Sequence, residues 1–292
     1  MFSELVPVIL PVLACIAIGF GWAKSGIPFE REFVTRMAMH IAAPCLILGG
    51  ITDLGEQALS FYLMIGIAFG LTVAVGLASA LLLRIAGQPL RSFLPAAMNG
   101  NIGNLGLPLC LFAFGQEGLI LAIGFYVVGC VVVFLGSPLI QGREATWHIL
   151  TRTPIIYATL ASVLMLYWDI ELPQAASNTF EILGGMLIPL MVISLGHALG
   201  TFGIVRPGLA TSLSLIRLIL GFLFGVLVSE LLDLEGIERG VVIVQASMPV
   251  AVFNYLLASR YDRHPDVVAS SIVISTLISL LTLPLLLNFA MG

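Results

Sequence analysis

Three asparagines within six residues, Asn99, Asn101 and Asn104, alternate with Gly100, Gly103 and Gly106 and run into Pro108 inside an otherwise apolar stretch. Amide side chains donate and accept hydrogen bonds but do not titrate. The chemistry on offer is recognition of a polar group rather than proton transfer. The same residues are poor helix formers: glycine costs about 1 kcal/mol and proline about 3 kcal/mol in a helix interior. The residue before a proline is also pushed out of helical geometry. In a bilayer, irregular backbone is tolerated only against protein or a water-filled cavity. The run predicts a broken helix whose second half starts near Pro108, a residue suited to the first helical position. A close-packed, glycine-lined helix interface is the alternative, and three asparagines argue against it.

A second segment, Gln245 to Asn254, carries Pro249 at the corresponding place later in the chain. One proline by itself can simply kink a helix; the position opposite the first break favours a second break. If both helices break and cross, two half-helix N-termini meet near the midplane with free amides and partial positive charge. Two carbonyl ends meet there too. The first pair would suit an anion and the second a cation or water. The expected substrate site is therefore lined by Asn101, Asn104, Met248, Val250 and Asn254, with Arg217 nearby. Gly100, Gly103, Gly106, Pro108 and Pro249 are its helix-breaking residues.

Arg217 stands about ten residues into its apolar stretch, where an unpaired charge costs roughly 2.5 to 3.5 kcal/mol. Two roles are open to it. Its head snorkels or is held by carbonyls of a broken helix, or it attracts an anion. His40 and His197 read as hydrogen-bonded packing residues or as proton relays. No aspartate or glutamate stands at the centre of an apolar stretch, which disfavours coupling through intramembrane carboxylates. Cys15, Cys45, Cys110 and Cys130 lie in apolar sequence without metal-ligand spacing and read as small buried hydrophobes. Neither a metal nor a cofactor is expected. With no nucleophile and base set or phosphate loop, an enzyme is disfavoured, and nucleic acid is not an expected partner.

The elements that must position these residues follow from composition. Of 292 residues, 59% are apolar and 10% charged, against roughly 25% charged in a soluble domain. The expected fold is an all-α membrane protein of ten transmembrane helices. Their spans are residues 5–22, 33–52, 58–83, 92–115, 118–140, 152–169, 179–200, 208–232, 238–259 and 265–290. Polar residues 141–153 divide a first five-helix repeat (1–140) from a second (154–292). Pro7 with Pro154, Pro44 with Pro189 and Pro138 with Pro284 recur at nearly one offset, and Leu71 aligns with Arg217. An odd number of spans per half inverts the second repeat. With both termini outside, every lysine and arginine except Arg239 lies on or begins from the cytoplasmic side.

The sequence Asn101, Gly103, Asn104, Gly106, Leu107, Pro108 with Phe114 and Gly115 resembles the auxin efflux carrier family. So do Met248 to Asn254 with Ala258, Arg260 and Tyr261, and Ser275, Thr276, Leu283 and Pro284. The resemblance implies a fold similar to sodium/proton antiporters and bile-acid transporters. The first, second, sixth and seventh helices would form a scaffold, and the third to fifth and eighth to tenth a transport domain moving as an elevator. It implies a secondary transporter of small organic anions, auxin-like or dicarboxylic, with efflux the favoured direction, in a bacterial inner membrane. A homodimer is compatible with that reading. A sodium-coupled solute symporter of related fold is the alternative, followed by a channel or a membrane-embedded enzyme.

Overall fold

A computed structural model describes residues 2–51, 58–142, 154–168, 170 and 172–292. Most of the expected 141–153 linker, with Arg143, Glu144, His148 and Arg152, lies outside the described residues, as do Asp53, Glu56, Asp169 and Glu171. The first part of the chain is α1 (Phe2–Ser25), α2 (Arg31–Met37), α3 (Ala43–Ile51), α4 (Ala58–Ile85), α5 (Leu90–Met98), α6 (Leu107–Val131) and α7 (Ser137–Ile140). The rest is α8 (Pro154–Tyr167), α9 (Gln174–Gly185), α10 (Leu187–Thr201), α11 (Pro207–Leu231), α12 (Gly236–Ala246), α13 (Phe253–Tyr261) and α14 (Pro265–Met291).

Three π-helical segments interrupt the first part, at Ala38–Ala42, Ile102–Gly106 and Val132–Gly136. Each ends two residues before a proline: Pro44, Pro108 and Pro138. Proline has no amide, and its ring collides with the carbonyl four residues back. A widened turn accommodates both defects. In the second part, Pro189 is accommodated differently, by the interruption at Met186 between α9 and α10.

Among the described residues, seven helical stretches are long and apolar enough to cross a membrane. The difference from the ten expected spans has three sources. The fourth and fifth spans run together as Ile102–Ile140, a stretch of 39 residues that at about 1.5 Å per residue is far longer than one bilayer core of about 30 Å. Gly115, at φ 68° and ψ −160°, turns the chain within it, a conformation that costs glycine little. The sixth span is 14 residues, Pro154–Tyr167. The ninth is divided into α12 and α13.

Outward-facing apolar residues recur at helical spacing, as Phe69, Val73, Leu77 and Leu81 do on α4 and Leu277, Leu281 and Leu285 on α14. Such stripes would be an aggregation surface in water and are the expected surface in lipid. α1 packs along α10, and α3 packs on α8 and α9. Elsewhere α11 packs on α4, α12 and α14, while α6 packs on α4 and α12. The broken segments lie within this second group.

Candidate functional site

The two interruptions meet. Gly100 and Val250 form an antiparallel bridge, the one backbone pairing of strand type among the described residues. The Asn101 amide donates to the Pro249 carbonyl at 2.6 Å, and the Ala251 amide donates to the Asn99 carbonyl at 3.1 Å. Two extended stretches buried in an apolar interior must satisfy their amides and carbonyls. Pairing with each other does so in part.

Side chains complete the joint. Asn99 Nδ2 donates to Asn254 Oδ1 at 3.1 Å and to Ser137 Oγ at 2.9 Å. The Val250 amide donates to Ser275 Oγ at 3.0 Å. Asn254 thus ties the second interruption to the first, and Ser275 on α14 satisfies the bridging residue itself.

The head of Arg217, on α11, is bound by carbonyl oxygens. Its Nη1 donates to the Met98 carbonyl at 2.8 Å, its Nε to the Met248 carbonyl at 3.1 Å, and its Nη2 to the Ala246 carbonyl. These oxygens belong to the C-terminal end of α5 and to the end of α12 with the turn that follows it. A helix end leaves about four carbonyls without intrahelical partners, and a guanidinium offers a planar fork of donors to them. Gly221, one turn beyond Arg217, lets α11 approach closely enough, since a Cβ there would collide with the Ala246 carbonyl.

A cavity of about 80 Å³ lies against the crossover, room for a few waters if each needs about 10 to 15 Å³. Asn101, Asn104, Arg217, Gly100 and Gly103 line it. Met248, Val250, Asn254, Gly106, Pro108 and Pro249 do not. Gly103 and Gly106 fall in the π-helical segment beyond the extended residues. There they face the Tyr126 ring and the Gln245 side chain respectively, which a Cβ would displace. The non-helical break is confined to Asn99–Asn101, and the α-helical second half begins at Leu107, with Pro108 in its first turn.

Several donors on the residues lining this cavity are unspent. Asn101 is buried and its Nδ2 has no hydrogen-bond partner among the described residues. The amides of Ile102, Gly103 and Asn104, at the start of the second half-helix, find no backbone acceptor there either. The rest of the lining is mainly apolar and aromatic, including Leu71, Val75, Phe125, Tyr126, Phe134 and Phe253, and among the residues lining it none is aspartate or glutamate.

Sequence reasoning passed over two of these residues. Gln245 lines the cavity with both amide atoms buried and without a hydrogen-bond partner; it sits in the body of an apolar helix, where only the helix's rotation says which way it faces. Leu71, the counterpart of Arg217 in the repeat alignment, lines the cavity as well. The two histidines are peripheral. His40 contacts the Arg36 carbonyl, and His197 stacks on Phe29 and meets Arg31.

The family model described as membrane transport protein matches residues 5–150 and 140–287. A protein of Methanothermobacter thermautotrophicus, described as an uncharacterized transporter, is 31% identical over 95% of this chain and 95% of its own length. One of Methanocaldococcus jannaschii, described in the same words, is 27% identical over 95% of this chain and 96% of its own length. Auxin efflux carrier component 1 of Arabidopsis thaliana is 26% identical over 46% of this chain and 23% of its own length.

Proposed function

This chain belongs to the membrane transport protein family, and on that premise we propose that it carries small organic carboxylates across the membrane through the crossover cavity. One observation carries the choice of an anion: the guanidinium of Arg217 sits on the carbonyl ends of α5 and α12. A helix end carries about half an elementary charge. Two carbonyl ends therefore come to about −1, which Arg217 offsets. The opposite ends, at Ile102 and Phe253, keep their partial positive charge with no aspartate or glutamate among the residues lining the cavity, and the Ile102 end brings free amides. A carboxylate that has shed water needs such donors.

The lining adds selectivity by shape and polarity. Four aromatic rings around one cluster of donors suit an acid with an apolar body better than one charged at both ends. We therefore favour auxin-like monocarboxylates over dicarboxylates. The sodium-coupled alternative would put a cation among the carbonyls that Arg217 already occupies. Efflux is the direction we favour, by analogy with the plant relatives' name.

The working model has ten crossings in two inverted halves. The group containing α1, α3 and α8 to α10 acts as scaffold, and the group built on α4 to α7 and α11 to α14 moves as an elevator. The packing described above supports that division, since the first group's helices pack chiefly among themselves. We place both termini outside, in a plasma membrane of the bacterial inner type. A cysteine at exposed Ala86 should then be labelled only from the cytoplasmic side, and one at exposed Glu235 only from outside. Labelling of both from one face would rule out this orientation.

The functional test is electrical. Purified protein on a solid-supported membrane should give saturable currents with benzoate and weaker ones with succinate, unchanged when sodium is replaced by potassium. Currents that require sodium, or none with any carboxylate, would overturn the proposal.

A further inference from the structure

Buried polar groups without a partner are concentrated at the crossover. Among the described residues, six side-chain nitrogen and oxygen atoms are buried without a hydrogen-bond partner, and three of the six belong to two residues lining the crossover cavity. One is Nδ2 of Asn101. The other two are Oε1 and Nε2 of Gln245.

Gln245 is fully buried, as are Val241, Val242, Ile243 and Val244 before it. An amide left unpaired in such surroundings is destabilising. Its head lies over Gly106, where a Cβ would collide with Oε1, and the Cys110 thiol beside it is only a weak donor. Other polar side chains of the lining are already committed: Asn99 to Asn254 and Ser137, Thr72 to the Ala68 carbonyl, and Tyr126 to the Met39 sulfur. The Gly106 amide donates to the Asn101 carbonyl, one helical turn back, so the head of Gln245 stands roughly 5 Å along the segment from Asn101. Asn101 and Gln245 can therefore meet opposite ends of one aromatic ring. A hydroxyl both donates and accepts, so it pairs with this amide whichever way round Oε1 and Nε2 are turned.

We infer that Gln245 is a specificity-determining residue, which selects among carboxylates those aromatic acids that carry a ring hydroxyl remote from the carboxylate. This rests on the carboxylate reading given above and narrows it. Asn101 and the half-helix amides take the charged end, the rings of Phe125, Tyr126, Phe134 and Phe253 take the apolar body, and Gln245 takes the hydroxyl.

The test compares currents of the full-length protein on solid-supported membranes for benzoate, 3- and 4-hydroxybenzoate, and the methylbenzoates of the same substitution. A methyl group is close to a hydroxyl in size and makes no hydrogen bond. Wild-type protein should half-saturate at a concentration roughly ten-fold lower for at least one hydroxybenzoate than for its methyl counterpart, the scale of one buried hydrogen bond made rather than left unmade. Gln245→Met keeps the length of the side chain and removes both polar atoms. The preference should vanish or reverse, while half-saturation by benzoate stays within a few-fold of wild type and the melting temperature in detergent holds or rises. Gly106→Ala leaves Gln245 in place and displaces its amide; it should shrink the preference too, and it covers the case in which Gln245→Met fails to fold. Wild-type currents that do not distinguish hydroxyl from methyl would overturn the role of Gln245 whatever the variants do. A preference that survives either substitution, or an equal loss of benzoate and hydroxybenzoates in folded Gln245→Met, would overturn it as well and leave the Asn101 site standing. No saturable current with any of these acids would sink the carboxylate reading, and the role of Gln245 with it.

Discussion

The two halves of the crossover share a backbone geometry and differ in what they do with it. At the first, Asn99 to Asn101, the non-helical residues lead into a half-helix whose first amides and Asn101 side chain stay unsatisfied, on residues that line the cavity. At the second, Met248 to Val252, the side chains of Met248 and Val250 are buried away from it, and the bridging amide is consumed by Ser275. The first half leaves donors uncommitted; the second spends its own internally. A recognition surface can be built on irregular backbone only if another element supports that backbone, because the unsatisfied groups that bind a ligand stabilise nothing before it arrives.

Arg217 belongs to the supporting side of that division, and its loss should give the largest effect. Arg217→Gln strips three carbonyl oxygens of their donor, and each buried group left unpaired costs about 1 to 3 kcal/mol. The expected outcome is a loss of about 3 kcal/mol or more, seen as a much lower melting temperature in detergent. An unchanged melting temperature with weakened anion binding would move Arg217 to the recognition side.

Asn254 should show the same sign with a smaller size. Asn254→Leu removes the acceptor for Asn99 Nδ2, which keeps its bond to Ser137, so a cost of about 1 to 2 kcal/mol is expected. Folded Asn254→Leu should bind a carboxylate within a few-fold of wild type. A strong loss of affinity without loss of stability would erase the distinction between the two halves.

The first break was legible because its signal is local: glycine, asparagine and proline together leave a helix few ways to continue. The lining of the second was not. In extended backbone successive side chains face opposite ways, so the register that pairs Gly100 with Val250 sends Ala251 to the cavity wall and Val250 away from it. Nothing in the sequence around Pro249 specifies that register. Gln245 escaped notice for a related reason, since the rotation of α12 is set by its packing on α6 and α11. Arg217 could have been assigned from the sequence by asking where the carbonyls of two broken helices would go. The count of crossings is a matter of length: Ile102–Ile140 is too long for one crossing, and Gly115 at positive φ turns the chain inside it.

Asn101 gives the most direct test, because its Nδ2 has no partner to lose. Asn101→Leu should weaken carboxylate binding by roughly 10- to 150-fold while the melting temperature of the unliganded protein stays level or rises. Wild-type affinity in that variant, or a melting temperature that falls as it does in Asn254→Leu, would contradict the claim that the first half of the crossover holds the anion.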